Sequence, residues 1–273
     1  MKLISQALIL VAVFIACGCT KQRNDLPLQE VSGNVKSIRT TGYTAIEKFG
    51  EISEGNALFG NSLVKFNKDG LITGISFFDN HGVLNKKSIY VLDENNKVTT
   101  INHYNGDGGV VGKTVYTYDE NLNVMKIIDY DENGKPKSTQ KNEWEDGKCI
   151  KSLFEDGYSG ERYIINEFEG NKLAKSVVYD KNGKETGEYT EFEDDKITKI
   201  VNSDFTVSIS YNDKGLCTSI VNGQLSNTNS YLLVKGESYK YEYDEKGNWI
   251  RKTEKEENAQ IACRIFVRKI EYY

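Results

Sequence analysis

The stretch Thr114-Val115-Tyr116-Thr117-Tyr118-Asp119-Glu120-Asn121-Leu122-Asn123-Val124-Met125-Lys126-Ile127-Ile128-Asp129-Tyr130-Asp131-Glu132-Asn133-Gly134 decides how this chain folds. Its first five residues alternate, with Thr114, Tyr116 and Tyr118 on one face of an extended segment and Val115 and Thr117 on the other. An acidic and Asn-rich break follows Tyr118, and a second follows Tyr130. Asn, Asp and Gly are what a hairpin turn requires, because Gly and Asn accept φ > 0 and an Asx side chain bonds the turn backbone. The stretch therefore reads strand, turn, strand, turn, and strands joined this closely run antiparallel.

The same phrase recurs along the chain: Phe66-Asn67-Lys68-Asp69-Gly70, Phe78-Asp79-Asn80-His81-Gly82, Tyr179-Asp180-Lys181-Asn182-Gly183 and Tyr243-Asp244-Glu245-Lys246-Gly247. One class of phrase begins at Phe66, Leu92, Tyr118, Trp144, Phe168 and Phe192, and a second at Phe78, Tyr104, Tyr130, Phe154 and Tyr179 between them. The unit is thus about 24–26 residues with two strands and two turns, a period that marks a stacked repeat. The expectation is an all-β chain, a long antiparallel β-meander of twelve or more strands forming a single curved or partly rolled sheet. Residues 35–273 read as the β-repeat domain, 19–34 as a tether ahead of it and 1–18 as a leader segment.

Composition agrees and removes several function classes. The 273 residues carry 35 Lys and Arg against 40 Asp and Glu, a net charge of −5, which argues against a nucleic-acid partner. Tyr (17) and Gly (24) are abundant and Pro (2) is scarce, as expected of strands and tight turns. Two His leave little room for chemistry built on several histidines.

At the N-terminus, Lys2 precedes an unbroken apolar run from Ala7 to Ala16 that is too short to span a bilayer. It ends in Phe14-Ile15-Ala16-Cys17-Gly18-Cys19-Thr20-Lys21, which resembles a bacterial lipobox. Cys19, with Gly18 before it and Ala16 at −3, is the better lipidation candidate, and Cys17 is the alternative. The resemblance implies an acylated Cys as first mature residue, and the Gly or Thr that follows it resembles an outer-membrane destination, facing periplasm or cell surface. Loss of residues 1–18 removes one Lys and takes the charge from −5 to −6.

Tyr243-Asp244-Glu245-Lys246-Gly247-Asn248-Trp249 looks like the YD repeat of Rhs-type bacterial proteins. Tyr130-Asp131-Glu132-Asn133-Gly134-Lys135-Pro136-Lys137-Ser138 is similar to the MORN-type repeat of some antitoxin-like proteins. With the lipobox, the whole resembles uncharacterised Gram-negative repeat lipoproteins. The resemblance implies an extended β-sheet or shell and an envelope location; it carries over no reaction and no catalytic residue.

Candidate chemistry is sparse. Gly106 to Thr114 has a P-loop flavour, but Asp107 occupies the first Gly position and a strand follows where a helix is needed. Asp131, Asn133 and Gly134 lack the further oxygens of an EF-hand and read as turn residues. His81 and His103 read as ordinary surface residues. Cys149 and Cys217 are three repeats apart, roughly 29 Å in an open sheet at roughly 9.6 Å per repeat, which is beyond disulfide reach unless the sheet closes on itself, and they read as buried thiols. No cofactor, metal or catalytic constellation is implied, so the chain is not read as an enzyme. Trp144, Tyr239, Tyr241 and Trp249 are the candidate binding residues, an aromatic platform for a protein or glycan partner, although aligned aromatics also stabilise a sheet by cross-strand stacking. The functional expectation is a membrane-anchored envelope lipoprotein acting as a binding or structural module; the alternative, from the MORN-like phrases, is an immunity or antitoxin-like protein that neutralises a toxin.

Overall fold

The computed structural model describes residues 25, 29–157, 160–203, 205–225, 231–256 and 263–273. All regular elements among them are strands: β1 (Val35–Lys48), β2 (Glu51–Ala57), β3 (Asn61–Phe66), β4 (Ile72–Phe78), β5 (Leu84–Leu92), β6 (Val98–Asn105), β7 (Val110–Tyr118), β8 (Val124–Asp131), β9 (Pro136–Glu145) and β10 (Lys148–Asp156). They continue with β11 (Gly160–Glu169), β12 (Lys172–Asp180), β13 (Glu185–Glu193), β14 (Lys196–Val201), β15 (Phe205–Tyr211), β16 (Cys217–Leu225), β17 (Tyr231–Tyr243), β18 (Trp249–Glu256) and β19 (Arg264–Tyr272).

From β3 to β19 every strand pairs antiparallel with the next, as the repeat required. The expected single curved or partly rolled sheet is corrected, because the sheet closes. β1 pairs with β19 from Val35 to Thr44 and on its other edge with β3 from Ser37 to Thr40, giving an 18-strand antiparallel barrel. β2 stands outside this ring as a flap, pairing with the far end of β1 from Tyr43 to Lys48. At the seam the Tyr273 amide donates to the Asn34 carbonyl (2.9 Å) and its hydroxyl to the Phe66 carbonyl (2.7 Å).

Bulges give the physical reason for closure. The register shifts at Phe66, Phe78, Leu92, Tyr104, Tyr118, Tyr130, Phe168, Phe192 and Tyr243, opening residues of the recurring phrases, and at Tyr211, which opens the like phrase Tyr211-Asn212-Asp213-Lys214-Gly215. Each bulge bends its strand and sharpens the local twist. Repeated at the same point of successive hairpins, these bends accumulate until β19 meets β1 and both open edges disappear. The two classes of phrase mark the two ends of the barrel.

The turns explain the rest of the phrase. In the turn after Tyr130, Asp131 Oδ1 accepts from the Asn133 and Lys135 amides (3.0 and 2.8 Å) while Gly134 takes φ 78°. Asp79, Asp93, Asp180, Asn212 and Asp244 make the same pair of bonds. After Trp144 the turn shortens to Asp146 and Gly147, both at positive φ, which removes two residues and resets the period from 26 to 24.

Directly opposed residues of an antiparallel pair share a face. Ile38 leads through Val64, Ile75, Ser88 and His103. Further round, Asn142 leads through Ser152 and Ile164 to Val178, and Ser176 through Thr190 to Ile200. Tyr239, Glu254 and Arg264 complete the path back to β1 on the same side. This is the inner face. Gln140, Asn142, Ile164 and Asn166 on it are buried, while Lys141, Glu143, Ile165 and Glu167 between them are exposed. Val31, from the segment ahead of β1, packs on it with Val35, Ile38, Val64, Phe66 and Ile72.

Candidate functional site

Most of the inner face is lined by amide, hydroxyl and aliphatic side chains that satisfy one another. Asn142 accepts from Gln140 Nε2 and Ser152 Oγ (both 2.8 Å) and donates to the Val124 carbonyl (2.9 Å). Ser176 Oγ donates to Asn166 Oδ1 (2.6 Å), and Asn166 donates to the Cys149 carbonyl (2.8 Å).

Three phrase aromatics, and Tyr241 two residues ahead of the Tyr243 phrase, have a second task. Tyr118, Trp144, Tyr211 and Tyr241 donate to the carbonyls of Val98, Val124, Ile197 and Cys217 at 2.7–2.9 Å. Each acceptor sits opposite the bulge of the preceding hairpin, so these side chains satisfy backbone groups that a bulge draws out of the regular ladder. The candidate Trp144 is one of them, alone on β9 and away from the other three.

Two places on this face depart from the pattern. In the first, His103, expected at the surface, is partly buried within a hydrogen-bonded ladder across β5 to β9. Ser138 Oγ donates to Asp129 Oδ2 (2.8 Å), and Thr114 donates to Asp129 Oδ1 (2.6 Å). With its proton so committed, Thr114 accepts from His103 Nε2 (3.0 Å), which leaves Nδ1 to accept from Ser88 Oγ (2.9 Å). Burial holds the His103 pKa below its ordinary value, against an upward pull from Asp129.

The second place is the larger and is the candidate site. β18 puts Lys252 and Glu254, and β19 puts Arg264, Phe266 and Arg268, on the face they share with Tyr239 and Tyr241 of β17. Trp249 joins them because the bulge at Tyr243 shifts the start of β18. Glu254 is buried and bound by Arg264 Nε (2.6 Å), while Glu237 accepts from Tyr239 (2.8 Å) and pairs with Arg264 (3.3 Å). Burial pushes the Glu254 carboxyl up, with Arg264 pulling the other way.

The two remaining cations are less well matched. Lys252 Nζ lies over the rings of Phe266 (4.7 Å), Tyr239 (5.0 Å) and Trp249 (5.8 Å) and has no ion-pair partner among the described residues. Burial lowers its pKa, against Glu30 and Glu254. The Arg268 side chain is only 8% exposed. Its guanidinium stacks 3.5 Å from the centroid of Trp249, and one terminal nitrogen donates to the Gln29 carbonyl (2.9 Å). The other terminal nitrogen is 4.0 Å from a Glu30 oxygen. Its Nε is buried without a hydrogen-bond partner among the described residues. Burial lowers Arg268 to about 10 and raises Cys217 nearby to about 11 and Tyr211 to about 12.

The segment ahead of β1 covers this site. Trp249 Nε1 donates to Glu30 Oε2 (2.7 Å), and Asn248 exchanges hydrogen bonds with the backbone of Ser32 (2.8 and 3.1 Å). Glu30 holds φ 54°, a conformation uncommon for a residue with a side chain.

Three of the four candidate aromatics, Tyr239, Tyr241 and Trp249, are therefore brought together, with Trp249 buried and edge-on to Tyr241 at 5.9 Å between centroids. They form the walls of an ionic cluster rather than an open platform. Cys17 and Cys19 lie outside the described residues. Sequence reasoning missed Glu30, Lys252, Glu254 and Arg268. The available signal was that inward positions reading Ser, Thr, Asn or Val in the middle repeats carry charge in β18 and β19.

No family model matches the chain and no curated protein matches it. A porin-like protein from Bacteroides uniformis is 12% identical with a TM-score of 0.45, over 88% of this chain and 99% of that one. TcdB2-TccC3 is 11% identical with a TM-score of 0.33, over 85% of this chain and 14% of that one. A porin-like protein from Bacteroides vulgatus is 7% identical with a TM-score of 0.28, over 88% of this chain and 98% of that one. At these values the likenesses assign no family.

Proposed function

We propose that the protein is a lipid-anchored lipoprotein of the outer membrane that acts as a binding module for an envelope protein or glycan, engaged through the β17–β19 sector. The observation that carries the binding reading is the gathering of two ill-matched cations, the buried Arg268 side chain and the partly buried Lys252, with aromatic rings in that one sector. Elsewhere the inner face carries mostly amide and hydroxyl side chains that pair with one another, with the Thr190 hydroxyl buried and unpartnered among the described residues.

The outer wall supports anchoring by lipid rather than by the barrel itself. Lys113, Lys141, Glu143, Lys151, Glu167, Lys175, Glu191 and Lys199 stand on it in mid-strand. A lipid-facing wall needs an apolar band about 25 Å tall, and Lys or Arg at its midplane costs about 2–4 kcal/mol each. No helix among the described residues is long and apolar enough to cross a membrane. The Cys19 lipid, or Cys17 in its place, then supplies the membrane partner.

The test is metabolic labelling with a clickable palmitate analogue, followed by membrane fractionation and crosslinking of the anchored protein. Wild type is expected to be labelled and sedimented, Cys19→Ala unlabelled and released, and the crosslinked partner lost in Lys252→Met. An unlabelled, freely soluble wild type would overturn the anchor. Protection of cells against a toxin, unaffected by Lys252→Met, would favour the immunity reading drawn from the Tyr130–Ser138 phrase.

A further inference from the structure

The geometry points to a carboxylate-binding site around Arg268 and Lys252 that takes an acidic saccharide and is occupied in the free protein by the chain's own Glu30. This rests on the binding-module reading and names its ligand class.

Three observations converge on it. Arg268 is nine-tenths buried and, among the described residues, keeps an unpaired Nε–H beside a terminal nitrogen whose anionic neighbour, Glu30, is 4.0 Å away, so the planar fork that grips a carboxylate through two parallel bonds is half used. Lys252 presents a second cation that lies over ring faces and makes no ion pair among the described residues. Glu30 reaches both the Trp249 indole N–H and the Arg268 guanidinium, from a backbone conformation that disfavours a residue with a Cβ. A carboxylate is thus already the occupant, on a strap held to the barrel end through Ser32 and Asn248.

The strap also selects the class of competitor. Tethered Glu30 acts at an effective concentration in the millimolar range. A free acidic peptide making the same contacts gains nothing over it. A sugar acid adds its C–H faces to the rings of Trp249, Tyr241, Tyr239 and Phe266 once the strap lifts, and its hydroxyls can meet the remaining donors. An acidic saccharide is therefore the occupant able to displace the strap.

The experiment is calorimetric titration of the full chain in detergent at fixed ionic strength. The probes are trigalacturonate, its neutral methyl ester and tetraglutamate. Glu30→Gln keeps an acceptor for Trp249 while removing the internal charge, and is expected to tighten trigalacturonate binding by about tenfold, the release of an intramolecular competitor. Arg268→Met and Lys252→Met are each expected to weaken it by about tenfold or more, with unfolding curves confirming that both fold, and the methyl ester is expected not to bind. Unchanged affinity in Glu30→Gln, or equal binding of the ester, would overturn the proposal. Tighter binding of tetraglutamate than of trigalacturonate would overturn the saccharide assignment in favour of an acidic peptide. If no probe binds any variant while the anchored protein keeps its palmitate label and a crosslinked partner that persists in Arg268→Met, the inference fails and the binding-module reading stands.

Discussion

Replacing Arg268 by Met separates a residue kept for binding from one kept for stability. Burial lowers the Arg268 pKa from 12.5 to about 10. Because the folded value lies below the unfolded one, the charged form is disfavoured in the fold. At neutral pH, where both states are charged, folding bears a cost of about 3 kcal/mol at 1.36 kcal/mol per unit. Met fills a similar volume and removes that cost. It also removes the hydrogen bond to the Gln29 carbonyl, worth about 1 kcal/mol, and the stacking on Trp249, worth about 1–2 kcal/mol when desolvated. Gains and losses nearly cancel, so Arg268→Met is expected to change the unfolding free energy by no more than about 1 kcal/mol. That corresponds to a Tm shift of about 2–4 °C for a chain of this size. A structural keystone behaves differently, since breaking a buried ion pair costs about 3–5 kcal/mol. Urea unfolding followed by Trp fluorescence, with the m-value checked for constancy, gives the number. A loss above 3 kcal/mol would refute the argument that Arg268 is held against stability for the sake of a ligand.

Three further outcomes are expected. Asn142→Leu should cost about 2–4 kcal/mol in urea unfolding, because Gln140 Nε2 and Ser152 Oγ lose their acceptor inside the barrel while Val124 keeps Trp144 as donor; a neutral result would show that water replaces the amide. Stability should fall as pH drops from 7 through 6.5, since burial holds the His103 pKa below that value and the unfolded chain takes up its proton first; His103→Gln should flatten that limb of the pH–Tm curve, and an unchanged limb would count against the buried ladder. Leu122→Gly should stabilise by about 0.5–1 kcal/mol, because Leu122 holds φ 63° in the slot that Gly134 and Gly183 fill in equivalent turns, with a half-exposed side chain; a loss would mean that the Leu122 side chain packs more than its exposure implies.

The strand content was legible because two local rules agreed at every repeat. Period-2 alternation such as Tyr239-Tyr241-Tyr243 fixed the strands, and Asp-x-x-Gly phrases fixed the turns. Closure was not legible, because it depends on the bulge beside each phrase aromatic, and a bulge adds one residue without changing which residue types are used. Tyr118 and Trp144 show the same limit. Their place at strand ends was readable, but their bonds to the Val98 and Val124 carbonyls depend on the register of the preceding hairpin. The aromatic half of the candidate site was visible as Tyr239, Tyr241 and Trp249. Its ionic half was not, since Lys252 and Arg268 are ordinary residues for an outward position and become informative only when the bulge at Tyr243 and the pairing of β18 with β19 turn them inward.

The position of the site follows from how the ring closes. Glu30 meets Trp249 across 219 residues, Ser32 meets Asn248 across 216 and Gln29 meets Arg268 across 239. Each repeat can form its hairpin locally, but these contacts exist only after β19 has found β1, the longest loop the chain must close. A site built on them is absent from every partly folded state. Any ligand it holds therefore binds the closed barrel and not the open meander, and stabilises closure by mass action in proportion to its occupancy. The middle repeats can vary in turn length, as the change from 26 to 24 residues at Trp144 shows, without disturbing the site. The seam strands cannot, because a one-residue slip between β18 and β19 would turn Arg264, Phe266 and Arg268 to the charged outer wall. This asymmetry accounts for a chain that repeats a simple turn phrase up to Tyr243–Gly247 and places its inward charges in β18 and β19, where the ring closes on β1.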